Sequence, residues 1–375
     1  MTARSLLFCS DFPLGYHNRE AERTLAGFAA RGYESTYVEK LGIRSPGPAH
    51  VVELARRLRR GAEPPGPDRP FGTCSPRLMP PRHVPPLDAV NRRWLARQLD
   101  ARVAAPERTI LWIRYATPEL VPYAERPDWP LVVFEAVDDH LRSPGLPAAL
   151  RPRLEAAERR MLRRAGLVFA WSEAIAERLR AHHGRVVVAG AGADLDAFAK
   201  ARASHAPEPR VAGYAGSLDG RFDAALMAET ARALPDWRFR LAGPADEPAA
   251  RLLAPLPNVE LLGRVPPESV PGLLAGASVC LMPYRLDAFN DTLFPLKLVE
   301  SLASGRPTVS TPIRPAREFG DVLRLATGGR EFAAAIEASV PDAPGAEARR
   351  IARAAPYGWE ARLDAMAAAV EEALR

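Results

Sequence analysis

Lysine and cysteine are scarce in this chain, and long apolar runs are missing. Only three of its 51 Lys and Arg residues are lysines, a bias that accompanies abundant Ala, Gly and Pro and indicates GC-rich coding. Cys9, Cys74 and Cys280 are isolated and odd in number, which argues against a disulfide or zinc framework and predicts buried thiols in a reducing compartment. No apolar stretch approaches the about 20 residues of a membrane-spanning helix, and the start MTARSLLFCSDFP does not resemble a signal peptide. We therefore expect a cytoplasmic protein.

The net charge of +6 is modest for 375 residues, but arginines cluster at 56–60 and 159–164 on helical patterns. Nucleic-acid binding would need such clusters interleaved with exposed aromatic residues or a known motif, and neither is present. Solvated helix faces are the simpler interpretation. The alternative is a peripheral contact with anionic lipid at the inner face of the membrane.

The length predicts two domains, and the pattern of apolar runs predicts two parallel sheets covered by helices. In the first half, short apolar runs alternate with amphipathic stretches and fall at 6–9, 35–38, 109–113, 131–137, 167–170 and 186–189. The stretch 64–86 has nine prolines, but 71–74 inside it can form a strand, so we interpret it as a rigid loop of the first domain.

A second series of alternating strands and helices begins after residue 210. Its predicted strands are 211–215, 237–242, 259–262, 279–283 and 308–310. Residues 190–210 therefore link two Rossmann-like domains, and everything after residue 332 is predicted to be helical. No Gly-x-Gly-x-x-Gly motif opens the first helix of either domain, which disfavours a dinucleotide oxidoreductase.

The segment 290–312, which reads NDTLFPLKLVESLASGRPTVSTP, is the most informative part of the chain. Pro295 can open a helix there, and Gly305 can close it before a strand. Its apolar face consists of Leu296, Val299, Leu302 and Ala303. Lys297 and Glu300 then lie near the helix start on the other face, where free backbone N–H groups and the helix dipole favour an anion. This arrangement predicts a seat for a nucleoside diphosphate and its ribose.

Several short motifs occur in the second half in a recognisable order. They are Gly192-Ala193-Asp194 with Phe198, then 213–216 (GYAG), 241–244 (LAGP), 258–259 with 262–265 (NV and LGRV), and 294–300 (FPLKLVE) with 305–307 (GRP). Together they make the chain resemble the retaining nucleotide-sugar glycosyltransferases of the GT-B fold, in particular glycosyltransferase family 4. The first domain matches this family more weakly.

The resemblance implies an α/β fold in which two Rossmann-like domains face each other across a cleft. It assigns acceptor binding to residues 1–195 and nucleotide-sugar binding to 196–350, with a C-terminal helix at 351–375 that crosses back to the first domain. The implied reaction moves a sugar from a nucleoside diphosphate to an unidentified acceptor, with retention of anomeric configuration. A glycan, a lipid-linked molecule or a small natural product could accept it, and no metal or other cofactor is expected.

The resemblance also assigns roles to residues of the 290–300 segment. Glu300 stands where the family binds the ribose hydroxyls, and Lys297 can reach the diphosphate, orient Glu300 or face water. Backbone N–H groups near Phe294, Leu296 and Lys297 remain available for phosphate. Thr292 stands where the family has the first Glu of a Glu-x7-Glu pattern, which contacts the sugar. Asn290, Asp291 or Thr292 must therefore replace it or act only as turn caps.

Two further donor contacts lie outside that segment. The loop after 211–215 contains Gly216 and Ser217, which can hold phosphate, and Arg221, the only cation close enough in sequence to help. Arg221 could equally be a solvated residue at a helix start. Arg264 is expected to line the nucleobase pocket or to serve a structural role.

Two groups in the first domain are candidates for contacts near the reacting sugar. The loop after the first strand contains Gly15, Tyr16, His17 and Asn18, which can meet phosphate or acceptor. Asp138, Asp139 and His140 end the predicted strand 131–137, and we expect one of these three to touch substrate, although carboxylates at strand ends are often helix caps.

Two rival functions remain open at the level of sequence. A nucleotide-sugar epimerase of the same fold would also need a residue in the place of Glu300. A non-catalytic partner of another transferase is conceivable because Thr292 replaces a Glu and the family's Arg beside Gly216 is missing. Product formation without an acceptor would identify the epimerase, and absence of turnover would identify the partner.

Overall fold

The computed structural model describes residues 4–10, 14, 20–39, 62–66, 69–78, 85–142, 146–294 and 296–375. The contacts divide the chain into unit 1, Met1–Ala189 with Leu363–Arg375, and unit 2, Gly190–Arg362. The boundary after Ala189 lies six residues before the predicted boundary at 195. The boundary after Arg362 lies twelve residues beyond the predicted boundary at 350. The segment before Leu363 stays in unit 2 because Gly358 forms a β-bridge with Ala193 and the Arg362 Nε donates to the Gly190 carbonyl at 2.7 Å.

Unit 1 is built on an eight-stranded sheet. Its strands are β1 Arg4–Cys9, β2 Tyr33–Val38, β3 Ala62–Glu63, β4 Gly72–Cys74, β5 Thr109–Ile113, β6 Val132–Ala136, β7 Leu167–Ala170 and β8 Val186–Val188. They lie in the order β3-β4-β2-β1-β5-β6-β7-β8, and every pairing except β3 with β4 is parallel. The central strands are mostly apolar and buried, as is usual for parallel strands with helices on both faces of the sheet. All five residues of β5 are buried.

Five helices in the described part of unit 1 connect these strands. They are α1 Glu20–Ala30, α2 Pro85–Asp100, α3 Val121–Ala124, α4 Arg151–Arg164 and α5 Glu173–Arg180. Alternate residues of each strand point into two separate cores, one on each face of the sheet. Leu111 and Val132 belong to one core, whereas Phe8, Trp112 and Phe169 belong to the other.

Unit 2 has a six-stranded parallel sheet. Its strands are β9 Val211–Ala215, β10 Arg238–Ala242, β11 Val259–Gly263, β12 Val279–Met282, β13 Thr308–Ser310 and β14 Arg324–Leu325, in the order β11-β10-β9-β12-β13-β14. Its helices are α6 Leu195–Ser204, α7 Ala224–Ala233, α8 Glu247–Leu253, α9 Val270–Ala275, α10 Leu296–Ala303, α11 Arg314–Arg317, α12 Gly329–Glu337 and α13 Ala346–Ala354. These helices and strands share one core.

The last helix, α14 Trp359–Ala373, begins in unit 2 and ends in unit 1. Within unit 1 the Glu371 carboxylate accepts hydrogen bonds from the Tyr33 hydroxyl and, at 2.7 Å to each oxygen, from Arg4. Those bonds from Tyr33 and Arg4 lower the pKa of Glu371. No helix in the described part of the chain is both long enough and apolar enough to cross a bilayer.

Candidate functional site

The sheet of unit 2 changes direction of winding between β9 and β12. Strands β10 and β11 extend to one side of β9, whereas β13 and β14 extend to the other side of β12. The loops after the carboxyl ends of β9 and β12 therefore run in opposite directions from this position. Ligands bind at such positions in doubly wound folds. These loops are 216–223 after β9 and 283–294 after β12.

Two glycines bring backbone segments together beside this point. The Gly216 N–H donates to the Ala242 carbonyl at 2.7 Å, and the Gly243 N–H donates to the Gly263 carbonyl at 2.7 Å. Gly243 has φ +139°, and a Cβ on it would lie 1.9 Å from the Gly216 oxygen. No side chain fits between these two strand ends, so the backbone itself forms this part of the surface.

Lys297 lies directly over one of these glycines. A Cβ on Gly216 would be 1.7 Å from the Lys297 Cε, so the lysine stem occupies the space that a side chain would fill. Among the described residues, no acceptor lies within hydrogen-bonding distance of its ammonium group. Lys297 is in the first turn of α10, where the helix dipole adds to its charge, and the half-buried Glu300 follows one turn later. Pro295, the predicted start of this helix, lies outside the described residues.

Asp219, an acidic residue that the sequence reasoning did not consider, lies beside Arg221 and Lys297. Asp219 accepts from the Arg221 Nε at 3.1 Å and from its second guanidinium nitrogen at 2.8 Å, and it also accepts from the Arg221 backbone N–H at 3.0 Å. Burial alone would raise the pKa of Asp219, but the bonds from Arg221 and the charge of Lys297 outweigh it and lower the pKa. Asp219 is therefore ionised, and the predicted phosphate cation Arg221 is already paired with it.

The residues at 290–292 hold the two loops together. The Asn290 side-chain amide donates to the Arg285 carbonyl at 2.8 Å and to the Arg221 carbonyl at 3.2 Å. The Thr292 hydroxyl donates to the Phe289 carbonyl at 2.7 Å. Asp291 accepts from the backbone N–H of Arg314 at the start of α11, at 2.8 Å. These are the contacts of turn and cap residues. Asn290 Oδ1, however, is buried and has no hydrogen-bond partner among the residues that the structure describes.

The other predicted donor residues are spread around this region. The Phe294 ring stacks on Tyr357, with centroids 5.1 Å apart, and belongs with Leu296 to the edge of the core. The Ser217 carbonyl accepts from the Tyr214 hydroxyl at 3.1 Å. Arg264 is exposed and follows Gly263 directly. The side chains of Phe294 and Leu296 thus pack in part against the core of unit 2.

In unit 1, Asp139 and His140, two of the predicted residues after β6, have partners of their own. Asp139 is buried, and its Oδ2 lies 3.2 Å from Arg178 and 3.3 Å from Arg142. The His140 ring contacts the Tyr115 ring edge to face, with 4.3 Å between centroids and 63° between the ring planes, and Asp138 is half-buried. Gly15, Tyr16, His17 and Asn18 lie outside the described residues. In the described segments, no group of three or more His, Cys, Asp and Glu side chains could hold a metal ion.

A buried charged cluster at the carboxyl end of the unit 1 sheet was missed by the sequence reasoning. Arg114, which follows β5, lies 2.8 Å from Glu20 of α1 and 3.6 Å from Glu135 in β6. The indole N–H groups of Trp112 and Trp171 donate to Glu135 at 2.9 and 2.8 Å. A glutamate inside the apolar run VVFEA was the signal that could have revealed it.

Residues 209–342 match the family model described as glycosyl transferases group 1. This segment contains every residue that the sequence predicts for the donor site, from Gly216 to Glu300. Unit 2 thus contains a segment that resembles the group 1 glycosyl transferases.

A curated relative is consistent with this resemblance. The chain is 28% identical over 246 residues to a Bacillus subtilis protein named putative teichuronic acid biosynthesis glycosyltransferase TuaH, a match that covers 60% of the chain and 61% of that relative. The chain thus spans about three fifths of the length of the curated relative.

Solved structures resemble the chain over almost its whole length. Anabaena Alr3699/HepE in complex with UDP superimposes with a TM-score of 0.66 at 16% identity, over 98% of this chain and all of that one. Sucrose-phosphate synthase of Thermosynechococcus elongatus gives 0.74 at 16% identity, over 98% of each chain. The chain has the GT-B fold, which confirms the prediction of an α/β protein with two Rossmann-like domains.

Proposed function

We propose that the chain transfers a sugar from a uridine diphosphate donor to an acceptor, with retention of configuration. The observation that carries this proposal is the position of Lys297 across Gly216, at the start of a helix that presents Glu300 one turn later. An anion bound there meets the positive charge of Lys297, the N–H groups at the start of α10 and the backbone of Gly216 in one place. The choice of uridine rests on HepE, whose structures contain UDP and UDP-glucose.

Each donor residue has a defined task in this reaction. When the bond between the sugar carbon and the diphosphate oxygen breaks, negative charge grows on the leaving diphosphate. Lys297 and the first-turn N–H groups of α10 stabilise that charge, and Glu300 accepts hydrogen bonds from the ribose hydroxyls. Acceptor binding by unit 1, and the part of Asp138, Asp139 or His140 in it, remain predictions.

A thermal-shift panel of UDP, GDP, dTDP, ADP and CDP tests the donor site. We expect UDP to raise the melting temperature of the wild type most and to have little effect on Glu300→Ala, because a ligand stabilises only the fold that binds it. Glu337→Ala removes an exposed carboxylate of unit 2 and should respond like the wild type. If no nucleotide stabilises the wild type, or if Glu300→Ala responds fully, the donor assignment is wrong.

Product analysis separates the proposed transfer from its rivals. Incubation with UDP-glucose and no acceptor should leave the sugar configuration unchanged. Conversion to an epimer under those conditions would identify an epimerase. Binding of UDP with no turnover for any acceptor class would instead identify a non-catalytic partner.

Asp219→Asn should bind UDP roughly three- to tenfold more tightly than the wild type, because it removes a negative charge beside Arg221 and Lys297 that competes with the diphosphate. Asparagine keeps the oxygen that accepts the Arg221 backbone N–H, so the loop should retain its shape. Isothermal titration with UDP measures the change. Asp236→Asn, which removes an exposed partner of Arg210 away from the loops, is the control. Equal or weaker binding by Asp219→Asn would show that Asp219 does not compete with the donor.

A further inference from the structure

Helix α2 has a second apolar surface besides the one that it buries. Asn91, Leu95 and Leu99 face the core of unit 1 and are completely buried. On the opposite side, Val90 is 45% exposed and Trp94, one turn later, is 39% exposed. Because residues at i and i+4 are neighbours on a helix, these two large side chains form one apolar patch in contact with solvent.

The same side of the helix is positively charged. Arg93 and Arg97 flank Trp94 and are exposed. Neither forms an ion pair within the segments that the structure describes. The outer face of α2 is therefore defined by Val90, Arg93, Trp94 and Arg97, with Ala101 just beyond the helix.

The two acidic residues of α2 do not neutralise this face. Asp88 is paired with Arg153 of α4. Asp100 lies 2.6 Å from Arg126 and accepts from the Tyr123 hydroxyl at 3.0 Å. Both carboxylates are directed to cations elsewhere in unit 1, which leaves the charges of Arg93 and Arg97 uncompensated.

We propose that the outer face of α2 binds the surface of an anionic lipid bilayer. The indole of Trp94 is amphipathic and suits the headgroup region, where Trp is enriched in membrane proteins. Arg93 and Arg97 match the negative charge of lipid phosphates on either side of it. The helix is too polar to enter the bilayer, so it lies in the plane of the interface with Val90 and Trp94 toward the acyl chains. Nucleic acid suits this face less well, since it offers a single aromatic ring for stacking.

This mode of binding needs both the apolar patch and the charges. Binding should therefore weaken with added salt, which screens the arginines, and also with loss of the Trp94 ring at constant charge. A purely electrostatic attraction of this basic protein to lipid would show only the first dependence.

Flotation with vesicles of phosphatidylcholine, with and without phosphatidylglycerol, tests the proposal on the full chain. We expect the wild type to float only with the anionic vesicles. Arg93→Glu/Arg97→Glu should partition at least about tenfold less, since each arginine near an anionic surface contributes measurably to binding. Trp94→Ser should also partition severalfold less, although its net charge is that of the wild type.

Two arginines of unit 2 provide the matched control. Arg232→Glu/Arg349→Glu changes the net charge by the same amount at exposed positions that have no ion pair among the described residues. This variant should float like the wild type. The proposal is overturned if the wild type does not float with anionic vesicles, if Trp94→Ser floats fully, or if the control loses as much binding as the α2 variant. Far-UV circular dichroism of each variant shows whether it remains folded.

Discussion

Gly243→Ala should unfold at a much lower urea concentration than the wild type. Gly243 adopts φ +139°, which L side chains rarely tolerate, and its Cβ would lie 1.9 Å from the Gly216 oxygen and 2.5 Å from the Gly216 carbonyl carbon. These are backbone atoms at the end of a central strand, so they cannot move aside as a side chain would. We expect a loss on the order of 3 kcal/mol in the free energy of unfolding.

Gly220→Ala provides the comparison within the same unit. Nothing lies within 4 Å of a Cβ at Gly220, and its φ is outside the left-handed region. Its unfolding midpoint should stay close to that of the wild type. A Gly243→Ala variant as stable as the wild type would contradict the close approach of the strand ends at Gly216 and Gly243.

Arg114→Met should strongly destabilise unit 1. Methionine fills much of the volume of arginine but carries no charge, so it leaves the buried carboxylates of Glu20 and Glu135 without their shared cation. Removal of one partner from a buried ion pair typically costs about 3–5 kcal/mol. Urea unfolding of the wild type and the variant at neutral pH measures the loss.

The pH dependence of that loss identifies its cause. Protonation removes the buried negative charge, so the folded variant should take up protons that its unfolded chain does not hold, and its stability should rise as the pH falls. A loss caused only by imperfect packing would not change with pH in this way. Arg92→Met is the control, at an exposed position of α2 with no ion pair in the described segments. Its free energy of unfolding should stay close to that of the wild type at every pH.

The sequence predicted the strands best where an apolar run ends at a turn residue. Strands 109–113, 167–170, 211–215 and 308–310 have the bounds that the pattern predicted. The short strand Arg324–Leu325 and helix Glu247–Leu253 were not predicted, because segments of two and seven residues have too little periodicity. Their formation depends on pairing and packing with distant elements.

The types of residue at the candidate site could be predicted from the sequence, whereas the contacts between those residues could not. Motif order pointed to Lys297, Glu300 and Gly216, but the contact of Lys297 with Gly216 arises only when the loops after β9 and β12 meet. Sequence reasoning named Arg221 as a candidate phosphate cation or a solvated residue, and it did not consider Asp219, two positions earlier, as its partner. A carboxylate so close in sequence could have been weighed, whereas the effect of Lys297 on it depends on the fold.

The contacts of Gly190 with Arg362 and of Ala193 with Gly358 bring the two ends of unit 2 together. Unit 2 is one uninterrupted stretch of chain whose two ends are neighbours, while unit 1 is assembled from the stretches on either side of it. A domain whose ends meet can be inserted into a host, exchanged or excised with one short join. In gene-architecture terms, unit 2 corresponds to one continuous inserted segment, and unit 1 is the host domain that surrounds it.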